Sequence, residues 1–364
     1  MLLVVNAGSS SLKLAVFDAA LHEVAQARAE RIGTGGAADH VQALSAGLAD
    51  MGIAARDLRA AGHRVVHGGA ELTAPCRVTA AVEAGIEACA TLAPLHNPAN
   101  LMGIRALGRL APDLPQYASF DTAFHATNPV LATTYALPLT ERQRGLRRYG
   151  FHGLSYAAIV RKVKEMAPNA LPERLLVFHL GNGASACAIL RGHSVASTMG
   201  YSPLDGLTMG TRGGSLDPAV VLDLAARHGV QGAAHILNRE SGLLGLGGAA
   251  DMRALRGLAT PEASFAVEHF AYSAIRHAGS LIAAMGGLDA IVFTGGIGEH
   301  DAEMRSAILS GLAWAGADFD ATANRAHELC LHKIGAQVAI WRVTADEERQ
   351  IALEAMQVIA SEGI

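Results

Sequence analysis

Thiols, charge and basic runs are scarce in this sequence, and each scarcity removes a class of function. Only four cysteines occur, Cys76, Cys89, Cys187 and Cys330. They are scattered, with no C-x-x-C pair and no Cys/His ligand spacing, so neither a disulfide framework nor a zinc site is expected. Charged residues make up 17% of the chain and the net charge is −4. With no basic stripe beyond the short cluster Arg142–Arg148, no nucleic-acid partner is expected. No apolar run approaches the ~20 residues of a bilayer span, so no membrane partner is expected. The apolar start Leu2-Leu3-Val4-Val5 has no basic segment before it, unlike a signal peptide, and the expected location is cytoplasmic. The Walker G-x-x-x-x-G-K-[ST], the G-x-S-x-G elbow, H-E-x-x-H and the protein-kinase signatures are all absent. Gly245–Ala250 has the outline of a dinucleotide fingerprint but lacks a preceding strand and a suitably spaced acid.

What is present is apolar residue in quantity, 51% of 364 residues, enough for two domains with sizeable cores. Two segments share one pattern. Val4–Phe17 (VVNAGSSSLKLAVF) and Val177–Leu190 (VFHLGNGASACAIL) each run from β-prone residues through a polar residue, Asn6 or His179, into a glycine-rich turn and a second apolar strand. Aligned without gaps, Gly8 falls on Gly181 and Ala15 on Ala188, 173 residues apart. Any hairpin needs small residues at its turn. Two such hairpins half a chain apart point further, to duplicated domains. Turns of this kind gather backbone N–H groups that can hold phosphate oxygens.

A third glycine-rich turn, Gly295–Glu299, is expected between the strand Ala290–Thr294 and a helix Ala302–Gly311. It would let a nucleotide approach the backbone or serve close packing. Helical patterns cover Ala80–Leu92, Ala99–Leu110, Tyr156–Met166, Pro218–His228, Ala263–Met285 and Asp346–Ser361. Strands are expected at Ala61–Val66, Gln116–Ser119, Leu175–His179 and Val338–Arg342. The alternation predicts an α/β protein with mixed sheets. No Pro/Ser-rich linker separates the halves.

Several clusters carry chemistry suited to phosphoryl transfer, which needs cations and donors around the moving group. Arg64 lies in an otherwise apolar strand before Gly68-Gly69, either snorkelling at an edge or aimed into a cleft. Asp121 ends a strand, where α/β proteins bind ligands, and a helix N-cap is its ordinary alternative. His152 sits between small residues in Arg148–Gly153. Arg212 is embedded in glycines, and with Arg64 it could neutralise a trigonal phosphoryl from two sides.

Together these strings resemble the acetokinases, the acetate, propionate and butyrate kinases of the acetate and sugar kinase/Hsc70/actin superfamily. The matching segments are Asn6–Lys13, His63–Gly69, Leu92–Pro98, Phe120–His125, Arg148–Gly153, His179–Ser185, Ser202–Arg212, Ser241–Arg253 and Phe293–Glu299. They occur in family order over nearly the whole chain. The resemblance implies two duplicated actin-like, ribonuclease H-like α/β domains with mixed sheets flanking an active-site cleft. Domain I is expected at 1–125 plus 349–364 and domain II at 126–348. It implies an enzyme moving phosphoryl between ATP and acetate, giving acetyl phosphate and ADP, with Mg²⁺ or Mn²⁺ and as a homodimer.

Residue by residue, the resemblance implies that Asn6 and Glu347 help hold the metal and Lys13 approaches the nucleotide phosphates. Arg64 and Arg212 would bind the carboxylate and the transferring phosphoryl. His152 would hydrogen-bond that phosphoryl, and Asp121 would act as acid/base or as an orienting carboxylate. Val66, Leu95, Phe151 and Pro203 would wall a pocket for the substrate methyl, with His96 in the same cleft. His179, Leu180, Gly181, Asn182 and Gly183 would cradle phosphates. Asp251, Met252 and Arg253, with Gly296, Ile297, Gly298, Glu299 and His300, would frame the adenosine.

The chain departs from the family pattern at Ala196 and Ser215, where members carry Asp, and at Tyr156, where a second His is usual. Its Asp18–Gly62 stretch is short, and the acidic signature reads Ala345-Asp346-Glu347-Glu348. A propionate or other short-chain acid kinase and a pyrophosphate-dependent variant are the neighbouring readings, since one methylene changes binding by only ~1–3 kcal/mol. A nucleotide-binding switch without catalysis is the alternative of a different class.

Overall fold

The computed structural model describes residues 1–167 and 171–363. Eleven strands form two mixed sheets among the described residues, one in each of two compact units. The first unit comprises Met1–Ala126, Phe151–Ala158 and Asp346–Ile364; the second comprises Thr127–Gly150 and Ile159–Ala345. The segment with His152 and the acids Asp346–Glu348 therefore belong to the first unit.

In the first unit, β1 (Leu2–Ala7), β2 (Ser11–Phe17), β3 (Glu23–Glu30), β4 (Ala60–Val65), β5 (Cys76–Arg77) and β6 (Gln116–Phe120) lie in the order β3-β2-β1-β4-β6-β5. The β1–β2 and β2–β3 pairs are antiparallel, and β1–β4 and β4–β6 are parallel. Alternate residues of β1 feed opposite faces, as the two-residue period of a strand requires. Leu3 and Val5 join Leu12, Leu14, Leu44 and Leu107 under helices His40–Asp50 and Asn97–Leu110. Leu2 and Val4 join Phe17, Tyr117, Ile351 and Ala355 under the C-terminal helix Glu347–Ser361. A strand covered on both faces reads as a continuous apolar run, which is why LLVV is so plain in the sequence.

In the second unit, β7 (Arg174–Leu180), β8 (Ala184–Leu190), β9 (His193–Ser197), β10 (Ala290–Thr294) and β11 (Ala339–Arg342) lie in the order β11-β10-β7-β8-β9. Again two antiparallel pairs, β7–β8 and β8–β9, sit beside two parallel ones, β7–β10 and β10–β11. The order β3-β2-β1-β4-β6 is thus repeated strand for strand as β9-β8-β7-β10-β11. The duplication seen in the two hairpins extends to five strands of each sheet.

Two expectations need correction. Gly295–Glu299 is no open turn: the short helix Gly295–His300 begins directly where β10 ends. The helix beginning at Pro218 does not stop at His228; it breaks at Gly229 (φ 70°) and continues to His235. The other expected helices and strands form with boundaries shifted by a few residues. No helix among the described residues is long and apolar enough to cross a membrane.

Candidate active site

In the first unit the β1–β2 turn and the end of β4 line a cavity of about 300 Å³. Asn6, Ala7, Gly8, Ser11, Lys13, Arg64, Val66, His96 and Asn100 contribute to it. Register explains the gathering: Asn6 pairs with Lys13 across the hairpin, and β1 runs parallel to β4, with Val5 opposite His63. The turn is closed by the Gly8 N–H bonding the Ser11 carbonyl (2.8 Å) and tethered by His40 Nε2, 2.8 Å from the Gly8 carbonyl.

Arg64 points from β4 toward Asp121, the residue after β6. Its Nε lies 3.2 Å from both carboxylate oxygens, and its Nη2 lies 2.7 Å from Oδ2. This side-on grip turns Nη1 away from the carboxylate and fixes the guanidinium plane. The Asp121 side chain is therefore engaged by Arg64 rather than by a helix N-terminus. Burial pushes the Asp121 pKa up against the pull of Arg64. Burial also opposes the Arg64 charge, but Asp121 and then Glu347 outweigh it and hold its pKa above the ordinary value.

The acids at the start of the C-terminal helix divide their attention. Glu348 pairs with Lys13 at 2.7 Å, while Glu347 comes only to 4.0 Å from Arg64 Nε. Glu347 is the less committed carboxylate. His152 takes a left-handed conformation (φ 57°), uncommon for a residue with a side chain and frequent at functional sites. It is held there from both sides. The Gly153 N–H bonds the Asp121 carbonyl (2.8 Å), and a Cβ on Gly153 would collide with that same oxygen. The Tyr156 N–H closes the first helical turn onto the His152 carbonyl. Phe151 is buried edge-on to His67, and its carbonyl lies 2.9 Å from Nε2 of His125. Burial depresses the His125 pKa to about 4, so it acts as a neutral strut. Tyr156 is fully buried against the His125 ring, so that departure lies in the core. Val66 faces the cavity, whereas Leu95 is 46% exposed.

In the second unit the β7–β8 turn adjoins two other segments. Gly181 lies about 4.0 Å from the Gly296 amide, measured from where a Cβ would stand. The Gly210 N–H bonds the Asn182 carbonyl at 3.0 Å, and a Cβ on Gly210 would strike the Asn182 side chain. The turn thus joins the Gly295–His300 helix on one side to the Arg212 loop on the other. Beyond lies a cavity of about 290 Å³ lined by Asp251, Met252, Arg253, Gly296, Ile297 and His300, with Arg256 and Asp301 at its edge. Asp251 caps the helix Met252–Leu258 through its side chain (Oδ1 to Ala254 N, 3.0 Å).

Gly298 and Glu299 turn inward, away from this cavity. The Glu299 carboxylate accepts the N–H groups of Gly295 (3.1 Å) and Ala345 (2.8 Å). Arg305, fully buried, donates to the carbonyls of Gly298 and Glu299, both at 2.9 Å. Leu180 is buried, and it touches the site through its backbone beside Gly295. His179, the last residue but one of β7, lies between Ser185 and Thr294 in register.

Arg212 donates from Nη1 to the Pro203 carbonyl at 2.9 Å. Among the described residues no carboxylate lies within ion-pair distance of it. Burial first, and the Arg239 charge second, lower its pKa. A mostly buried cation lacking a counter-ion is an incomplete arrangement that an anionic ligand completes. Nearby, Asp205 pairs with Arg148 (3.0 Å) and accepts from Ser215 Oγ (2.6 Å) and from the Gly206 N–H (2.8 Å). Ser215 is thus tied to a carboxylate that sequence reasoning does not single out. Asp205, Arg305 and Glu348 escape such reasoning because a single acid or arginine within a string carries no signal of its partner.

No cluster of three His, Cys, Asp or Glu side chains among the described residues could hold a metal ion by itself. Asn6 and Glu347 are oxygen donors of the kind Mg²⁺ prefers, and that ion characteristically takes one or two protein ligands and completes its shell with phosphates and water. The residues present fit it.

Comparison with known proteins identifies the family. Residues 28–353 match the model of the acetokinase family. An acetate kinase of Rhodopseudomonas palustris is 42% identical over 97% of this chain and 96% of its own. The crystal structure of Porphyromonas gingivalis acetate kinase superposes with a TM-score of 0.90 at 33% identity, covering 98% of this chain and 99% of that one. A propionate kinase from Francisella tularensis superposes with a TM-score of 0.91 at 35% identity, covering 97% and 98%.

Proposed function

The chain belongs to the acetokinase family, and from that premise we propose that it transfers phosphoryl between ATP and acetate, forming acetyl phosphate and ADP. The observation that carries the reading is Arg64, its guanidinium fixed side-on by Asp121 at the wall of a small cavity that also holds Asn6, Lys13 and Val66. A carboxylate docks on the arginine, and Val66 meets its short alkyl end.

The transfer is direct and in line. Arg64 and Arg212 neutralise the carboxylate and the moving phosphoryl, and His152 donates a hydrogen bond to the latter. Asp121 keeps Arg64 aimed and does not itself take the proton. The β7–β8 turn holds phosphates through its amides, and the 290 Å³ cavity beyond it suits a nucleoside, which favours ATP over pyrophosphate as donor. Asn6 and Glu347 would hold Mg²⁺, or Mn²⁺ in its place, which would supply charge neutralisation to the phosphate oxygens. The chain acts in the cytoplasm as a homodimer. Support for the second copy comes from Leu222 (71% exposed) and Val230 (73% exposed), apolar residues on the Pro218–His235 helix.

The test is ATP- and Mg²⁺-dependent acyl phosphate formation, trapped with hydroxylamine, for acetate, propionate and butyrate in wild type and Arg64→Ala. Acetate turning over best, with loss in the variant, is the expected result. The resemblance to a propionate kinase favours one second reading, and propionate turning over best would establish it. No turnover with any acid would overturn the enzyme assignment.

A further inference from the structure

We propose that Asn97 and Asn100, one turn apart on the Asn97–Leu110 helix, are positioning residues that set the acid-binding wall and so the preference for acid length. The inference rests on the carboxylate kinase reading. The sheet ladder on β4 ends at Val65, opposite Phe120. The next three residues, Val66 at the cavity wall and then His67 and Gly68, have no strand beside them, and each of their N–H groups is taken by a side chain. Val66 donates to Asn100 Oδ1 (3.0 Å), His67 to Asn97 Oδ1 (3.0 Å) and Gly68 to Thr122 Oγ1 (3.1 Å).

The two asparagines also use their donors. Asn100 Nδ2 bonds the Ala7 carbonyl at 2.8 Å, and Asn97 Nδ2 bonds the carbonyls of His67 (2.9 Å) and Ile86 (3.1 Å). Asn97 is 0% and Asn100 4% exposed, so water does not compete for these groups. A side-chain amide presents one acceptor and one donor face, like a peptide unit, and the pair replaces the missing strand. Asn100 ties Val66 to Ala7, spanning the two strand ends that line the cavity. Buried amides with their hydrogen bonds made resist displacement, because breaking one strands a polar group away from water. Val66 is thereby held at a fixed setting against the substrate's alkyl end.

Asn100→Asp tests this. The aspartate keeps an acceptor for Val66 but offers the Ala7 carbonyl a second oxygen instead of a donor. The expected result is a KM for acetate raised by ~10-fold and a propionate-to-acetate ratio of kcat/KM changed by ~3-fold or more, with the KM for ATP within ~2-fold of wild type. A purely structural role would lower the active fraction alone, so a parallel fall for every acid with unchanged KM and ratio overturns the proposal. Should Asn100→Asp not be recovered folded, Asn97→Ser, which loosens the His67 clamp and the tie to the Ile86 carbonyl but leaves the Asn100 bonds in place, is read by the same ratio and the same two outcomes. Wild-type protein assayed alongside keeps the readings apart: inactivity there refutes the kinase assignment, whereas active wild type with an unmoved ratio refutes only the role of the asparagines.

Discussion

Replacing Asp121 with asparagine is the sharpest perturbation of the proposed site. Asp121 accepts from Arg64 through Nε and Nη2, the shortest contact being 2.7 Å, and it is 1% exposed. Asparagine keeps one acceptor and turns its amide N–H₂ toward a guanidinium, so one charge-assisted bond is lost and Arg64 is left with only Glu347, 4.0 Å away, as a counter-ion. Hydrogen bonds to charged groups contribute ~1.5–3 kcal/mol, and stranding one partner of a buried pair costs somewhat more. A loss of about 2–3 kcal/mol in transition-state binding is roughly 30- to 160-fold in kcat/KM for acetate. The KM for ATP should move little. The pH dependence separates an orienting role from a proton-transfer role. In wild type, activity should fall on the acid side as Asp121 protonates and loses its grip on Arg64. In Asp121→Asn that acid limb should vanish while activity stays low at every pH. In Arg64→Gln there is no guanidinium for Asp121 to hold, so the acid limb should vanish there as well, with activity low at every pH. The assay is initial-rate hydroxamate formation from pH 5 to 9. Asp121→Asn with kcat/KM within threefold of wild type would refute the orienting argument.

Three further outcomes follow from particular contacts. Glu354 is half-buried under the sheet with Gln350 as a hydrogen-bond partner, and desolvation raises its pKa. A raised carboxyl pKa favours the folded state fully below the unfolded value of about 4.3, and that contribution is lost as pH rises through the folded value. Glu354→Gln should therefore raise Tm by ~2 °C or more at pH 8 and not at pH 4, which differential scanning calorimetry would read. Ser215→Asp, which restores the family's usual residue, would set a carboxylate against the one on Asp205, now 2.6 Å from the serine hydroxyl. It should lower Tm at pH 8 by an amount equivalent to ~1 kcal/mol or more and less so at pH 4, where protonation removes the repulsion. Arg305→Met removes the two bonds holding the Gly298 and Glu299 carbonyls and should raise the KM for ATP by ~10-fold or more with the KM for acetate unchanged. Equal changes in both constants would count against the local role given to Arg305.

The sequence is most legible where one residue type has to satisfy a single strong constraint. β1, β7 and β10 are covered on both faces and read as unbroken apolar runs, so their positions are plain from composition alone. The edge strand β3, EVAQARAE, is not. It faces the core with alanines and solvent with charges, a composition that favours helix over strand until a neighbour supplies the ladder. Helix His40–Asp50 is hidden for a related reason, its buried face being a histidine, an alanine, a glycine and two leucines rather than a bulky apolar stripe. Gly295–Glu299 reads as a turn on its glycines alone. It forms a helix because Glu299 returns to cap the first amide and Arg305 takes the last carbonyls, neither of which local sequence reports. Individual glycine-flanked residues are likewise visible, but partnerships are not: that Asp121 belongs to Arg64 and Glu348 to Lys13 depends on strand order, which only the parallel β1–β4–β6 pairing supplies.

The two units start from one topology and put different chemistry on the same hairpin. In the first, the turn after β1 carries hydroxyls and is flanked by Lys13, Arg64 and the acids Asp121, Glu347 and Glu348, so its cations are already balanced by carboxylates. In the second, the turn after β7 carries only Gly181, Asn182 and Gly183, and the cation beside it, Arg212, has no carboxylate at hand among the described residues. A balanced site can exchange partners at little electrostatic cost, which suits an acceptor that must be bound and released at each turnover. An unbalanced one holds its potential for the group that arrives with negative charge, which suits polyphosphate. Removing a charge should therefore have opposite consequences in the two halves. Arg64→Gln strands an acid and should destabilise the fold, whereas Arg212→Gln relieves a buried cation and should leave Tm equal or higher while activity collapses. A Tm that falls as far for Arg212→Gln as for Arg64→Gln would show that Arg212 is already neutralised within the protein, and the division of labour between the two turns would have to be abandoned.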